Sequence, residues 1–214
     1  MHTYIVDETL SIDLPASWEE ITVGQFEELS KLKLNDPESK LLSIVTGLGE
    51  EVFHELDPDQ VDEMIDVVSF VRDEKVSASN YEVPEQIELD GKVITTKIEP
   101  KTANFMQRHA FERRLWPELK ENKGVINTGL SVALAIYLQP QITGKKFDDD
   151  SLDSTIQAVK KIPVLKGFPV AYFFTNACTR SLNKREKCLT NRLLQKVNEQ
   201  QASTESQALE SSTQ

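Results

Sequence analysis

The sequence predicts a mainly α-helical protein, a multi-helix core that carries a small β element and ends in a polar tail. Of 214 residues, 39% are hydrophobic, 28% are charged and eight are glycine, a composition typical of globular proteins. Apolar residues recur at helical spacing over most of the chain, whereas alternation is confined to segments 3–14 and 87–98. After residue 199 few apolar side chains remain, so we expect one domain over 1–199 and a disordered tail over 200–214.

Helix-capping residues divide the first half of the chain. Thr22 is a candidate N-cap for a helix that follows the first strand region. Asn35 or Asp36 is expected to cap the next helix, with Pro37 in its first turn. The segment 57–60 (Asp-Pro-Asp-Gln) combines an Asp cap, a Pro at the first helical position and a Gln three residues after the cap, which predicts a capping box.

The β element is predicted from turn chemistry. Asp90 and Gly91 tolerate the positive φ that a two-residue hairpin turn requires, so residues 87–98 are expected to form a hairpin. An isolated hairpin is marginal in water. It is therefore expected to pair with the N-terminal strand region, to cover a core or to contact a partner.

Prolines divide the second half. A helix that begins after Thr102 is expected to break at Pro117, and an apolar helix over 124–138 is expected to stop at Pro140. Ser151 is expected to cap a helix over 152–162, which Pro163 ends, and residues 168–174 are expected to begin the last long helix.

No constellation of residues predicts catalysis, a cofactor or a metal, so we expect a protein that is not an enzyme. His2, His54 and His109 lie in no metal-binding spacing. The segment 148–150 (Asp-Asp-Asp) lacks the remaining ligands of a calcium loop and is expected to be a solvated turn. Gly47-Leu48-Gly49 follows a helix, whereas phosphate-binding loops follow a strand.

The cysteine and hydropathy patterns bear on the compartment. Cys178 and Cys188 lie ten residues apart in a region expected to be helical, too far for a disulfide along one helix. A turn between them would allow the bond, but we expect both cysteines to be reduced. No apolar run reaches the length of a membrane span. The opening residues lack the basic and apolar regions of a signal peptide. We therefore expect no membrane contact.

Charge is strongly polarised along the chain. Residues 1–99 hold 24 Asp and Glu against 7 Lys and Arg, whereas residues 100–214 hold 11 against 17. Opposite charges at different parts of a chain favour head-to-tail contacts between copies. The acidic candidates for such an interface lie on the helix after the 57–60 cap, and the basic ones near the C-terminus: Asp59, Asp62, Glu63, Asp66, Arg180, Lys184, Arg185, Lys187, Arg192 and Lys196.

The basic segment 180–196 admits three interpretations. In the first interpretation it is an ordinary solvated helix face, since basic residues are favoured near the C-terminus of a helix. It is second the partner of an acidic protein surface, such as the first half of a neighbouring copy. Contact with nucleic-acid phosphates is the least favoured, because aromatic residues for base stacking are not interleaved with the basic ones.

Three stretches carry a resemblance to proteins of tailed bacteriophages. The first is 14–29 (LPASWEEITVGQFEEL), with Trp18 before a Glu-Ile-Thr motif and an aromatic residue and Leu on the following helix. Trp18 is expected to pack back on that helix rather than to anchor an interface. The second is 41–56 leading into Asp57-Pro58-Asp59, and the third combines 135–138, 162–164 and 168–174.

Together these stretches, within residues 14–182, are similar to small neck and tail proteins of podovirus-like phages, especially the crAss-like group. They resemble phage tail-assembly chaperones more loosely. The resemblance implies a structural virion protein that forms a ring of the neck or tail near the portal, with copies of itself and portal, neck or tail proteins as partners. It would be located in the virion, and in the host cytoplasm during assembly. A chaperone that is absent from the mature particle is the alternative.

Overall fold

The computed structural model describes residues 1–6, 10–73, 76, 82–96, 104–121 and 127–185. The chain divides after Thr175 into two units, of which the second is described at 176–185. The described elements are, in chain order, β1 His2–Ile5, β2 Ser11–Leu14, α1 Val23–Leu29, α2 Glu38–Thr46, α3 Glu50–His54, α4 Pro58–Val67, α5 Phe70–Asp73, β3 Gln86–Leu89, β4 Lys92–Thr95, α6 Phe105–Arg114, α7 Trp116–Glu121, α8 Leu130–Thr143, α9 Leu152–Val159 and α10 at 164–185. The mainly helical class with small β hairpins is confirmed. The predicted disorder of residues 200–214 and the single-domain boundary at 199 lie outside the described residues.

The two β elements are separate antiparallel ribbons. In β1–β2, His2 is opposite Leu14, and Ile12 and Leu14 of β2 are buried. In β3–β4, Asp90 (φ 49°) and Gly91 (φ 74°) form the turn that the sequence predicts. Within the described residues each ribbon pairs only with itself, so the second hairpin covers a core and does not extend the first.

Helix α8 is the central element of the core. Its residues from Leu130 to Gln139 are buried, except for the half-buried Val132. Helices α1, α6 and α9 and strand β4 all pack against it. The hydroxyl of Tyr137 donates to the Thr96 carbonyl at 2.8 Å, which fastens the second hairpin to this helix. A helix that is apolar all round requires cover on every side, and these elements supply it.

The start of α1 is joined to the connection between α9 and α10. The amides of Val23 and Gly24, which have no acceptor within a helix's first turn, donate to the carbonyls of Ile162 (2.8 Å) and Lys160 (2.9 Å). In return, the amide of Val164 donates to the Ile21 carbonyl at 2.7 Å. Segments 140 residues apart are thus held together by backbone hydrogen bonds at a helix terminus.

Pro140 lies inside α8, contrary to the prediction that it stops this helix, which continues to Thr143. A proline within a helix removes the hydrogen bond to the carbonyl four residues earlier, here that of Ile136. The buried amide of Gln107, on α6, donates to that carbonyl at 2.8 Å. The helix continues because a side chain from a neighbouring helix replaces the lost donor.

Helices α1, α4 and α6 each begin with a capping box in which Gln is the third helical residue. The sequence predicted the N-cap of α1 and the capping box of α4. In each, the Gln oxygen accepts from the N-cap amide. The Gln nitrogen then donates to a carbonyl elsewhere in the chain: Gln25 to Val45 (2.7 Å), Gln60 to Val6 (3.5 Å) and Gln107 to Ile136. Glutamate could cap in the same way but has no donor for the second bond.

Several predicted boundaries were wrong. Pro37 is itself the N-cap of α2, while the Asp36 carboxylate accepts from the Lys33 amide at 2.9 Å and so closes the preceding turn. Pro117 lies in the first turn of α7, a position that proline tolerates. The last helix begins at residue 164, four residues before the predicted start, because the amide of Val164 already has its acceptor outside the helix.

Candidate interaction surfaces

Helix α4 carries the predicted acidic surface, which we define as Asp59, Asp62, Glu63 and Asp66. All four side chains are exposed, while Met64 is buried on the opposite side. Their spacing of three and four residues places them on one face of the helix. Like charges at this spacing destabilise a helix by about 0.2–0.5 kcal/mol per pair. A cationic partner that covered this face would relieve that repulsion.

One member of the acidic surface is already used within the chain. The hydroxyl of Tyr4, on β1, donates to the Glu63 carboxylate at 2.6 Å, and this bond raises the pKa of Tyr4. Together with the bond from Gln60 to Val6, it fastens the first ribbon to α4. Asp59, Asp62 and Asp66 form no ion pair within the described part of the chain.

The basic candidates lie at the end of α10, in the second unit. Arg180, Lys184 and Arg185 are exposed on this helix, and Arg180 and Lys184 share a face because they are four residues apart. Lys187, Arg192 and Lys196 lie outside the described residues. Cys178 is buried on the same helix, and Cys188 is outside the described residues, so the reduced state of both cysteines stays a prediction.

The remaining polar clusters have structural partners. In the predicted acidic turn at 148–150, Asp149 pairs with Arg113 and, at 3.3 Å, with Arg114, which also reaches Asp153 at 2.8 Å. These ion pairs join the end of α6 to the turn before α9. Where the structure is described, no group of three His, Cys, Asp or Glu side chains is arranged to hold a metal ion.

Glu27 is the only buried carboxylate among the described residues, and the sequence reading missed it. It lies on α1 and accepts from the amide (2.7 Å) and the hydroxyl (2.9 Å) of Ser131 in the first turn of α8. Burial raises its pKa, although the two bonds from Ser131 and the more distant Lys160 and Lys31 act in the opposite direction. The sequence signal was its position on α1 four residues after Val23, which is also buried and lies on the same helix face.

A second missed feature is an open groove of about 710 Å³ between the α1–α2 connection and α5. Leu34, on its wall, has a relative exposure of 102%. The sequence signal was the alternation of lysine and leucine at 31–34, which does not fit the helix-then-cap interpretation of this segment.

Comparisons with known proteins do not assign this chain. No family model matches it, and no curated protein or solved structure gives a significant match. Among the helices that the structure describes, none is long and apolar enough to cross a membrane.

Proposed function

We propose that the chain is a non-enzymatic structural protein of a tailed-bacteriophage virion, and that its copies assemble into a ring of the neck or tail near the portal. The observation that carries the proposal is the exposed acidic surface on α4, in which three carboxylates have no described ion pair. The basic end of α10 supplies a complementary group of exposed cations. The phage context itself rests on the sequence resemblance in residues 14–182.

The two charged surfaces favour a head-to-tail contact. Four carboxylates repel the same surface of another copy, so the acidic surface requires a different, basic surface as its partner. A contact between two different surfaces generates a ring when the rotation closes. Each copy would offer α4 to one neighbour and the end of α10 to the other.

Charge reversal tests this contact. The variant Asp62→Lys/Asp66→Lys and the variant Arg180→Glu/Lys184→Glu should each remove the oligomer that forms at low salt, measured by light scattering against the 24.2 kDa of one chain. A mixture of the two variants should restore it, because the lysines introduced on α4 of one variant can pair with the glutamates introduced on α10 of the other. Glu88→Lys, at an exposed position of β3, is the matched control and should leave assembly unchanged.

Salt gives an independent test. Surface charges are screened over about 10 Å at 0.1 M salt and about 3 Å at 1 M, so the oligomer should dissociate as salt rises. Assembly that is equal at both concentrations, or variants that do not restore each other, would refute the electrostatic contact.

A tail-assembly chaperone that binds a virion protein transiently is the second candidate, favoured by the acidic character of the chain as a whole. Mass spectrometry of purified particles distinguishes the two. A ring protein is present at a fixed ratio to the portal protein, whereas a chaperone is absent.

A further inference from the structure

The open groove beside the α1–α2 connection has several apolar residues in its lining and a fully exposed leucine on its wall. Its volume of about 710 Å³ lies within the range of small-molecule pockets, so it is large enough to admit an apolar side chain. Leu34 projects from the wall of the same groove with its whole side chain exposed. Besides Leu34, the apolar residues of the lining are Leu29, Leu32, Pro37, Leu41 and Val71.

The charges at the rim are balanced within one copy. The carboxylate of Asp36 is held by Lys40 at 3.1 Å and by the Lys33 amide, and these bonds lower its pKa. Glu38 pairs with Arg72 at 3.2 Å across the groove. The lining thus contains two cations, Lys33 and Arg72, and two carboxylates, so its formal charge is zero on a chain whose net charge is −11.

These two properties favour a second copy of the chain as the occupant. When an exposed knob and a groove lie on the same surface, a two-fold axis can bring each knob into the groove of the other copy. A neutral rim allows such a surface to meet itself, whereas the acidic surface on α4 cannot. An acidic or basic peptide would find no excess of opposite charge here.

We propose that this groove is a two-fold docking surface, in which Leu34 of each copy enters the groove of the other. The contact is independent of the proposed ring, since it uses neither α4 nor the end of α10. Its stabilisation comes from burial of apolar surface, which salt does not screen. The dimer therefore persists at about 1 M salt, where surface ion pairs are screened to about 3 Å.

The test is the mass of the full chain in solution at about 1 M salt, measured over a concentration series. The wild-type chain should reach twice 24.2 kDa. Leu34→Ser should weaken the dimer at least about tenfold, because the free energy of burying a leucine exceeds that of a tenfold change in affinity. Val93→Ser, at a 64% exposed position on β4 outside the groove, should have no effect.

A second variant probes the groove itself. Val71→Lys places a charge in the lining and should also abolish the dimer, with far-UV circular dichroism showing that the variant is folded. A wild-type chain that stays at 24.2 kDa throughout, or a Leu34→Ser variant that dimerises like the wild type, would overturn the proposal. A wild-type chain that forms the dimer at high salt but no larger oligomer at low salt would refute the proposed ring contact and leave the two-fold contact standing.

Discussion

The buried carboxylate of Glu27 should make the stability of the protein depend on pH. Because burial raises its pKa, the folded state binds this proton more tightly than the unfolded state, where a glutamate has a pKa of about 4.3. The stability that the proton contributes is therefore complete below about pH 4.3 and is lost as the pH rises through the raised pKa. Above the raised pKa the fold carries the cost of a buried charge, offset in part by the two hydrogen bonds from Ser131.

Glu27→Gln isolates this cost. The amide keeps one oxygen that can accept from Ser131, but it cannot ionise. Each unit by which the pKa is raised corresponds to about 1.4 kcal/mol, so the wild-type free energy of unfolding should fall by that amount per unit relative to Glu27→Gln as pH rises.

Glu27→Ala separates the hydrogen bonds from the charge. It leaves the buried amide and hydroxyl of Ser131 without acceptors, at a cost of about 1–3 kcal/mol. It also removes the buried Cγ methylene group, worth about 0.8 kcal/mol. The alanine variant should therefore be about 2–4 kcal/mol less stable than the glutamine variant at every pH.

Urea unfolding of the three proteins between about pH 4 and pH 9 measures both effects, since this range begins at the ordinary pKa of a glutamate and extends in the direction of the shift. Glu28→Gln is the matched control, because the exposed side chain of Glu28 pairs with Lys31 on the surface of the same helix region. This variant should shift stability by less than about 0.5 kcal/mol. A difference between the wild type and Glu27→Gln that stays constant over the whole range would refute the reasoning. So would an alanine variant as stable as the glutamine variant.

Two further predictions concern close contacts around α8. Gln107→Glu keeps the cap of α6 but loses the donor to the Ile136 carbonyl, so urea unfolding should show a loss of about 1–3 kcal/mol in stability. The cost of Gln107→Ala should be smaller in a Pro140→Ala background, because the backbone amide at position 140 is then a donor again. A double-mutant cycle in which the two costs are additive would contradict this. Gly167→Ala should cost about 1–3 kcal/mol, because its Cβ would lie 2.7 Å from the Val23 Cγ2; a melting temperature equal to that of the wild type would show that this packing can relax.

Local signals predicted the elements better than their ends. The Asp57 cap, the Thr22 cap and the Asp90–Gly91 turn were correct, because each depends on residues within four positions of one another. Pro140 was misjudged because its effect depends on a donor from another helix. A proline stops a helix only when nothing replaces the hydrogen bond that it removes, and Gln107 is 33 positions away.

The candidate surfaces divide in the same way. The acidic surface on α4 was predictable, since helical spacing alone places its members on one face. The groove was not, because its lining combines the α1–α2 connection with Val71 and Arg72 of α5, and these meet only in the folded chain. The engagement of Glu63 by Tyr4 also depends on a contact across 59 residues.

The charge of each surface decides which kind of contact it can make. Contact of the acidic surface on α4 with the same surface of another copy would be repulsive, so its proposed partner is a different surface, whereas the neutral groove is proposed to meet itself. Salt therefore separates the two contacts. Leu34→Ser at low salt should still assemble through α4 and α10, and at high salt it should be a monomer, whereas Asp62→Lys/Asp66→Lys should be a dimer at both. A variant in either surface that abolished both the low-salt ring and the high-salt dimer would mean that the two contacts form only together. The acidic surface and the groove would then belong to one interface.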